Sequence, residues 1–432
     1  MKARILLILI INFISLQILA NDYGKKIDIP LDWLINHLEK NNVQILNQRN
    51  NLEYTKYQID ETKAAARPYL GLEASYMRQK LAGVRNSSSF DNYNYAINLA
   101  QPLFTYGKIS TAIKIAQDYY QLSESDYSKT IKDITLAAAE IMYSIKMLEY
   151  RIKILQSTQK TFAEHFKITE LRYKIGDAAQ VDYLSARVNY EQIAPIITEL
   201  ENKISNLKNE LKLLLNLELD IDLIVKEDII RDTSITIDKK NVIDSALKNN
   251  DDLKKLKENY EITLLQKKIA ENTLRPELNF IASYGGTSDD INNILKKDKE
   301  NALIGVKLNF PIFDGFRSKN QVSQYSIKLQ NLERTLKQYK DSIVKEATNI
   351  INDLEFYKKQ IAANETLVSA AQEAFRIAQE NYNAGAAVSL NVIESEKDKL
   401  NAQLKLLESK YNFILTHLKL KQISGLKLTD NF

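Results

Sequence analysis

The sequence predicts a mainly α chain with a β-barrel portion, in which long coiled-coil-like helices alternate with four strands of membrane-spanning length. Three observations carry this expectation. Two stretches of 68 residues, Lys108–Ile175 and Arg317–Ala384, contain neither Gly nor Pro. Four segments of about ten residues alternate between apolar and polar side chains. The whole pattern is given twice, at an offset of 208 or 209 residues.

The repeat is visible in short matches. Arg67-Pro68 followed by Leu70, Ala74, Ser75 and Tyr76 returns as Arg275-Pro276 followed by Leu278, Ala282, Ser283 and Tyr284, 208 residues on. Pro102-Leu103-Phe104 returns as Pro311-Ile312-Phe313, Tyr173 with Gly176 as Tyr382 with Gly385, and Leu38 with Asn41 as Leu247 with Asn250, each 209 residues on. The expected organisation is an export leader (1–20), a first repeat (21–215), a linker or small equatorial element (216–240), a second repeat (241–424) and a C-terminal tail (425–432). The leader has Lys2 and Arg4 ahead of an apolar run from Ile5 to Ile14, broken only by Asn12, and Ala20 suits a cleavage site. Asn12, Ser15 and Gln17 argue against the alternative of a permanent anchor. No later stretch approaches the ~18 consecutive apolar residues of a spanning helix, so any membrane is crossed as β-structure.

Each long stretch carries a heptad-like stripe. Ile134, Ala138, Ile141, Ile145, Leu148 and Ile152 step by four and three, and Ile343, Ala347, Ile350, Leu354, Tyr357 and Ile361 repeat them 209 residues later. At 1.5 Å per residue such a helix reaches roughly 100 Å. Shorter helices are expected at about 31–66, 178–215, 241–274 and 388–424, with Pro195 breaking or kinking its helix because it lacks an N–H.

In the alternating segments Leu70, Leu72, Ala74 and Tyr76 share one face, as do Tyr93, Tyr95, Ile97 and Leu99. In the second repeat Leu278, Phe280, Ala282 and Tyr284, then Ile304, Val306, Leu308 and Phe310, do the same. The other face is mostly Glu, Asn, Ser, Gly and Lys, with Ile281 the exception. Polar loops are expected at Gln79–Asn92 and Gly285–Asn301, and Pro68, Pro102, Pro276 and Pro311 at strand boundaries. Four strands cannot close a barrel, and an open edge in lipid is prohibited. A membrane location therefore requires several chains. Two supply eight strands around a filled lumen; three supply a shared twelve-stranded barrel wide enough to pass solute, so a homotrimer is expected. The alternative is a soluble periplasmic coiled-coil adaptor or scaffold with a small β-domain.

Composition removes other classes. Fifty-nine Lys and Arg against 55 Asp and Glu give +4, or +2 once Lys2 and Arg4 are set aside, which argues against a nucleic-acid partner. There is no Cys, so no disulfide, thiol nucleophile or Cys-attached lipid. His37, His165 and His417 are too dispersed for a metal site and no ligand partner lies near His165 or His417 in sequence. Trp33 and His37, four apart, are packing residues, and Asp251-Asp252 is surface charge. No phosphate loop or nucleophile–base set occurs, so no catalytic residue, cofactor or metal is expected.

The order strand pair, long helix, Tyr-x-x-Gly turn, helix, given twice after a leader, resembles the TolC-type outer membrane efflux protein family. Gln101-Pro102-Leu103-Phe104, Phe310-Pro311-Ile312-Phe313-Asp314-Gly315, Tyr173-Lys174-Ile175-Gly176 and Tyr382-Asn383-Ala384-Gly385 carry the resemblance. It implies a trimeric outer membrane channel whose barrel continues into a periplasmic helical tunnel. It further implies a passive exit duct of a tripartite efflux or type I secretion system, working with a periplasmic adaptor and an inner-membrane pump of the RND or ABC type.

Candidate site residues follow. Gly176 and Gly385 are expected to end the long helices. The resemblance makes the turns Ile175-Gly176-Asp177 and Ala384-Gly385-Ala386 the periplasmic tips and adaptor contacts. Asp182 and Asn391, 209 apart, and Glu394 one turn further are candidates for the pore constriction, since carboxylates repeated around a threefold axis form an anionic ring. Family members are acidic at the positions of Asn391 and Glu394, and some place a gate-locking Arg where this chain has Ala387. Glu394 and Asp182 are therefore the charged candidates.

Overall fold

The computed structural model describes residues 26–80, 89–229, 237–426 and 428. The expected leader lies outside these residues, as do parts of the first strand loop, the linker and the tail. The elements, in order, are β1 (Lys26–Ile29), α1 (Leu31–Asn41), α2 (Val43–Ala64), β2 (Tyr69–Lys80), β3 (Ser89–Phe104), α3 (Lys108–Lys174), α4 (Gln180–Glu191) and α5 (Ile193–Leu215). They continue with β4 (Asp222–Val225), α6 (Lys239–Asn249), α7 (Asp251–Glu271), β5 (Glu277–Ser288), β6 (Glu300–Asn309), α8 (Arg317–Asn383) and α9 (Ser389–Ile423). The two long helices have 67 residues each and start and stop 209 residues apart. Among the described residues no helix is long and apolar enough to cross a membrane.

The chain forms two compact units, each taking pieces of both repeats: Met1–Asn47, Ser128–Asn250 and Lys340–Phe432 in one, Gln48–Tyr127 and Asp251–Tyr339 in the other.

The first unit is helical. Leu148, Ile152, Leu155 and Phe162 of α3 pack with Ile193, Ile197 and Leu200 of α5 and Ile393 of α9. The α3 stripe is wider than the expected single seam, because Thr135, Leu136, Ala139, Met142 and Tyr143 are buried as well. In α8 the buried residue is Ile351 rather than Ile350. β1 and β4 form a two-stranded parallel pair, with Ile29 opposite Val225, so the acidic β-branched segment contributes a strand. Pro195 stands in the first turn of α5, just after the break at Gln192. Its ring is incompatible with the carbonyl four residues back, whereas α9 has no proline and runs unbroken.

The first helix of each repeat is also interrupted. Asn42 turns extended between α1 and α2, and its Oδ1 accepts from the Gln44 and Ile45 amides at 2.9 and 3.1 Å, capping α2. Asn250 likewise turns extended between α6 and α7, so Asn250 is matched by Asn42 and not by Asn41.

The second unit holds a four-stranded antiparallel sheet in the order β2-β3-β5-β6. The strands run further than expected: β2 continues to Lys80, β3 begins at Ser89, β5 continues to Ser288 and β6 begins at Glu300. Pro102 lies inside β3 and not at its boundary. A bulge between Pro102 and Phe104 absorbs it and sets Phe104 opposite Leu278.

Candidate functional site: an uncovered apolar sheet face and two capped helix ends

Register assembles the sheet face row by row. Leu72 stands opposite Ile97 and Ile97 opposite Tyr284; Leu70 opposite Leu99, Leu99 opposite Ala282 and Ala282 opposite Ile304. Phe280 pairs with Val306 and Leu278 with Leu308. The apolar faces of the four alternating segments therefore fall on one side. That side is uncovered: Leu72 is 75% exposed, Ile304 78% and Leu308 65%. Removing seven such side chains from water is worth on the order of 10 kcal/mol per chain. The opposite side carries polar bonds between strands, Ser283 Oγ to Asn98 Oδ1 at 2.8 Å and Thr287 Oγ1 to Asn94 Oδ1 at 3.1 Å. Ile281 is joined there by Leu303 as an apolar exception.

The apolar side has two borders. At the helix-bearing end stand exposed Phe104, Phe310, Phe313 and Phe316. At the other end Tyr76 stacks on Tyr93 at 4.8 Å and donates to Asp91 at 2.9 Å, and Arg78 pairs with Asp91 at 3.3 Å. From Phe104 to Tyr93 the strand rises roughly 36 Å, or ~28 Å at a barrel tilt, close to the ~25 Å apolar band of an outer membrane protein. β2 and β6 are both open edges.

The ends of the long helices lie in the helical unit. Gly176 (φ 83°) and Gly385 (φ 78°) adopt the left-handed conformation that favours glycine. In the first turn Asp177 N donates to Arg172 O at 2.8 Å and Gly176 N to Tyr173 O at 3.1 Å. In the second, Ala386 N donates to Asn381 O at 2.8 Å and Gly385 N to Tyr382 O at 3.1 Å. Both are Schellman caps. Ile175 is 79% exposed, Asp177, Ala384 and Ala386 are exposed, and Ala387 is half-buried.

Asp182 is half-buried in the first turn of α4, and Asn391 and Glu394 are exposed in the opening turns of α9. No hydrogen bond or ion pair joins Asp182 to Asn391 or Glu394 among the described residues. A buried polar cluster near these turns was not legible in the sequence. His165 of α3 is buried, and its Nε2 lies 2.8 Å from Ser389 Oγ, 224 residues away, at the start of α9. Thr169 Oγ1 donates to His165 O at 2.9 Å and lies 3.2 Å from the Tyr382 hydroxyl, while Arg172 stacks on the Tyr382 ring and donates to its carbonyl at 3.3 Å. His165 is thus held by the Ser389 hydroxyl and packed against the Tyr382 ring. Burial, helped by the Arg172 charge and opposed by Asp182, lowers its pKa to about 4. Seven residues into α9, Glu396 is fully buried and Lys399 Nζ lies 2.6 Å from its Oε2. Burial raises the Glu396 pKa against the pull of Lys399 and Thr158. No cluster of potential metal ligands occurs among the described residues.

A sheet with one apolar and one polar face, two open edges and aromatic borders, in a chain with two 67-residue helices that end in glycine caps, defines an outer membrane channel protein. A family model described as "Outer membrane efflux protein" matches residues 34–217 and again 242–426, and the chain belongs to that family. It is similar to the outer membrane protein TolC of Vibrio cholerae, 19% identical over 409 residues covering 91% of this chain and 90% of the relative. It is similar also to the alkaline protease secretion protein AprF of Pseudomonas aeruginosa, 20% identical over 346 residues covering 79% and 71%. Its fold matches the outer-membrane channel OprN with a TM-score of 0.83 at 15% identity, over 92% of this chain and 90% of that one. The protein is an outer membrane efflux channel with a large periplasmic part, and its family is one of ducts and not of enzymes.

Proposed function

We propose that three copies close a shared twelve-stranded barrel, each giving four strands, and that their helices form a periplasmic tunnel. The observation that carries this is the uncovered apolar sheet face ending in two unpaired edges. One chain can neither hide that face from water nor satisfy those edges in lipid. The duct performs no chemical step and binds no cofactor, metal or nucleic acid. Export is driven by an inner-membrane pump of the RND or ABC type through a periplasmic adaptor that meets the turns Ile175-Gly176-Asp177 and Ala384-Gly385-Ala386. The exposure of both turns supports this contact. The chain is organised as a leader (1–20) removed on export, repeats at 21–215 and 241–424, an equatorial element at 216–240 and a tail at 425–432. Native mass spectrometry in gentle detergent is expected to give a trimer, and the protein to stay with membranes through a carbonate wash. A monomer released by carbonate would favour the soluble coiled-coil adaptor or scaffold.

Asp182, Asn391 and Glu394 line the narrowest part of the tunnel, Glu394 and Asp182 supplying rings of negative charge that favour cations. The exposure of Glu394 on the isolated chain supports its facing the duct. Glu394→Gln is expected to lower the cation selectivity of single channels in planar bilayers, and an unchanged reversal potential would refute the ring.

A further inference from the structure

The segment joining β5 to β6, residues 289–299, turns back onto the apolar face of the sheet. Gly286 and Ser288 stand opposite Tyr95 and Tyr93 on that face, and both are buried. A Cβ on Gly286 would lie 2.8 Å from the Ile294 carbonyl oxygen and 2.7 Å from Tyr95 Cε1. The loop backbone thus rests on the strand where no side chain stands. Between loop and strands runs a groove of about 490 Å³, walled by Ala74, Tyr76, Tyr93 and Tyr95 on the sheet and by Ile291 and Leu295 on the loop. It is almost wholly apolar, and its loop wall is left in the open, with Leu295 76% exposed.

Its level on the sheet identifies what it meets. The groove lies at the row where the face passes from leucine and isoleucine to Tyr76 and Tyr93, one row short of the Arg78–Asp91 pair. That is where an aromatic girdle sits against lipid headgroups. The helices leave the opposite end of the strands, so this border belongs to the outer leaflet. Lys296 and Lys297 are exposed on the loop and form no ion pair among the described residues. Several neighbouring carboxylates are engaged: Asp290 accepts from the Asn292 amide at 2.9 Å and Asn293 Nδ2 at 3.3 Å, and Glu300 accepts from the Tyr284 hydroxyl at 2.8 Å. Asp289 and Asp298 are the acids against which an anionic ligand would compete.

We infer that this groove seats an acyl chain of an outer-leaflet lipid whose phosphate is held by Lys296 and Lys297. The chemistry is that of a multiply acylated, phosphorylated glycolipid of the lipid A type. The inference rests on the proposed contact of the apolar face with lipid. The loop then acts as a strap that fixes one lipid against the barrel at the tyrosine row.

The test uses the full protein purified in mild detergent, with lipid A or phosphatidylethanolamine added and retained lipid counted by native mass spectrometry. The wild type is expected to retain lipid A in preference to phosphatidylethanolamine. Leu295→Asp, and independently Ala74→Phe, which fills the groove from the sheet side, are expected to weaken lipid A retention about tenfold, the effect of one lost apolar anchor. The double change Lys296→Ala with Lys297→Ala should weaken lipid A more than phosphatidylethanolamine, whose single phosphate is offset by its own ammonium. Equal retention of the two lipids, or variants that hold lipid A as the wild type does, would overturn the inference. So would a wild type without bound lipid whose oligomer is split by Leu295→Asp, since a neighbouring copy would then fill the groove. Carbonate resistance in the same preparation separates the two levels. Its loss in the wild type sinks the membrane reading, while its persistence without bound lipid A sinks this inference alone.

Discussion

The two repeats share an order of elements and differ in how far those elements are covered within one chain. In α3 the residues Leu136, Ala139 and Tyr143 are buried. Their counterparts 209 residues on, Lys345, Thr348 and Asn352 of α8, are exposed or half-exposed. α8 also leaves Phe356, Leu367 and Ile377 open. The strands differ without that bias: β2 is an edge where β5 is paired on both sides, and β3 is paired on both sides where β6 is an edge, so each repeat leaves one edge open. Repetition thus fixes where the two long helices begin and end, while the residues placed at matching positions decide what each copy faces. The contrast lies in the long helices: the middle of α3 is packed within the chain, and the matching stretch of α8 is left open.

The strongest way to break this comparison is at the strand that joins the repeats. A Cβ on Gly285 would stand 2.0 Å from the Tyr95 carbonyl oxygen. Gly285→Val is therefore expected to abolish β3–β5 pairing and remove the protein from the outer membrane fraction on an immunoblot. Met77→Val, at the corresponding position of the edge strand, is expected to leave the amount unchanged. Next in size is the lipid side against the polar side. Leu72→Lys should cost roughly 2–4 kcal/mol of insertion near mid-membrane. Leu303→Lys, on the other face, should insert as the wild type does. Unfolding from lipid vesicles in urea measures both.

The third test concerns His165, whose counterpart in the second repeat is Ala374. Its folded pKa of about 4 lies below the ordinary value of 6.5, so the unfolded chain takes the proton first. The native state is favoured fully above pH 6.5 and loses up to ~3 kcal/mol as pH falls through the window from 6.5 to 4. His165→Gln keeps a partner for Ser389 without this titration. Its melting temperature should fall less between pH 7 and 4.5 than that of the wild type; equal falls would show that His165 does not make the fold acid-sensitive. The smallest effects belong to the caps. Gly176→Ala and Gly385→Ala should each cost about 1 kcal/mol, and by similar amounts, because both glycines close the same motif with positive φ. Chemical denaturation of the single variants reads the difference.

Much of this was legible in the sequence for physical reasons. A period of two needs no register to place Leu72, Ile97 and Tyr284 on one face, and 68 residues without Gly or Pro leave few alternatives to a long helix. The glycine of Tyr-x-x-Gly announces its cap because few other residues take positive φ. What was not legible depends on distant partners. The pairing of His165 with Ser389 spans 224 residues and has no spacing signature. The bulge at Pro102 arises from the register with β5, which a single strand does not reveal. The break at Asn42 rests partly on the bond from its Nδ2 to Leu214 O at 2.7 Å, again far along the chain. The strands outrun their apolar alternation because Asn, Asp and Ser at strand ends pair as readily as other residues once a neighbouring strand is present.

The unpaired margins of β2 and β6 have a genetic corollary. If each subunit must grip a sister on both sides, a copy with one spoiled margin interrupts any ring it joins. In a cell making sound and spoiled copies in equal amounts, only about one ring in eight is free of damage, the expectation for random mixing in a closed threefold assembly. A lesion confined to one rim of the sheet should therefore behave as a dominant poison, whereas a lesion that prevents export of the chain should be recessive.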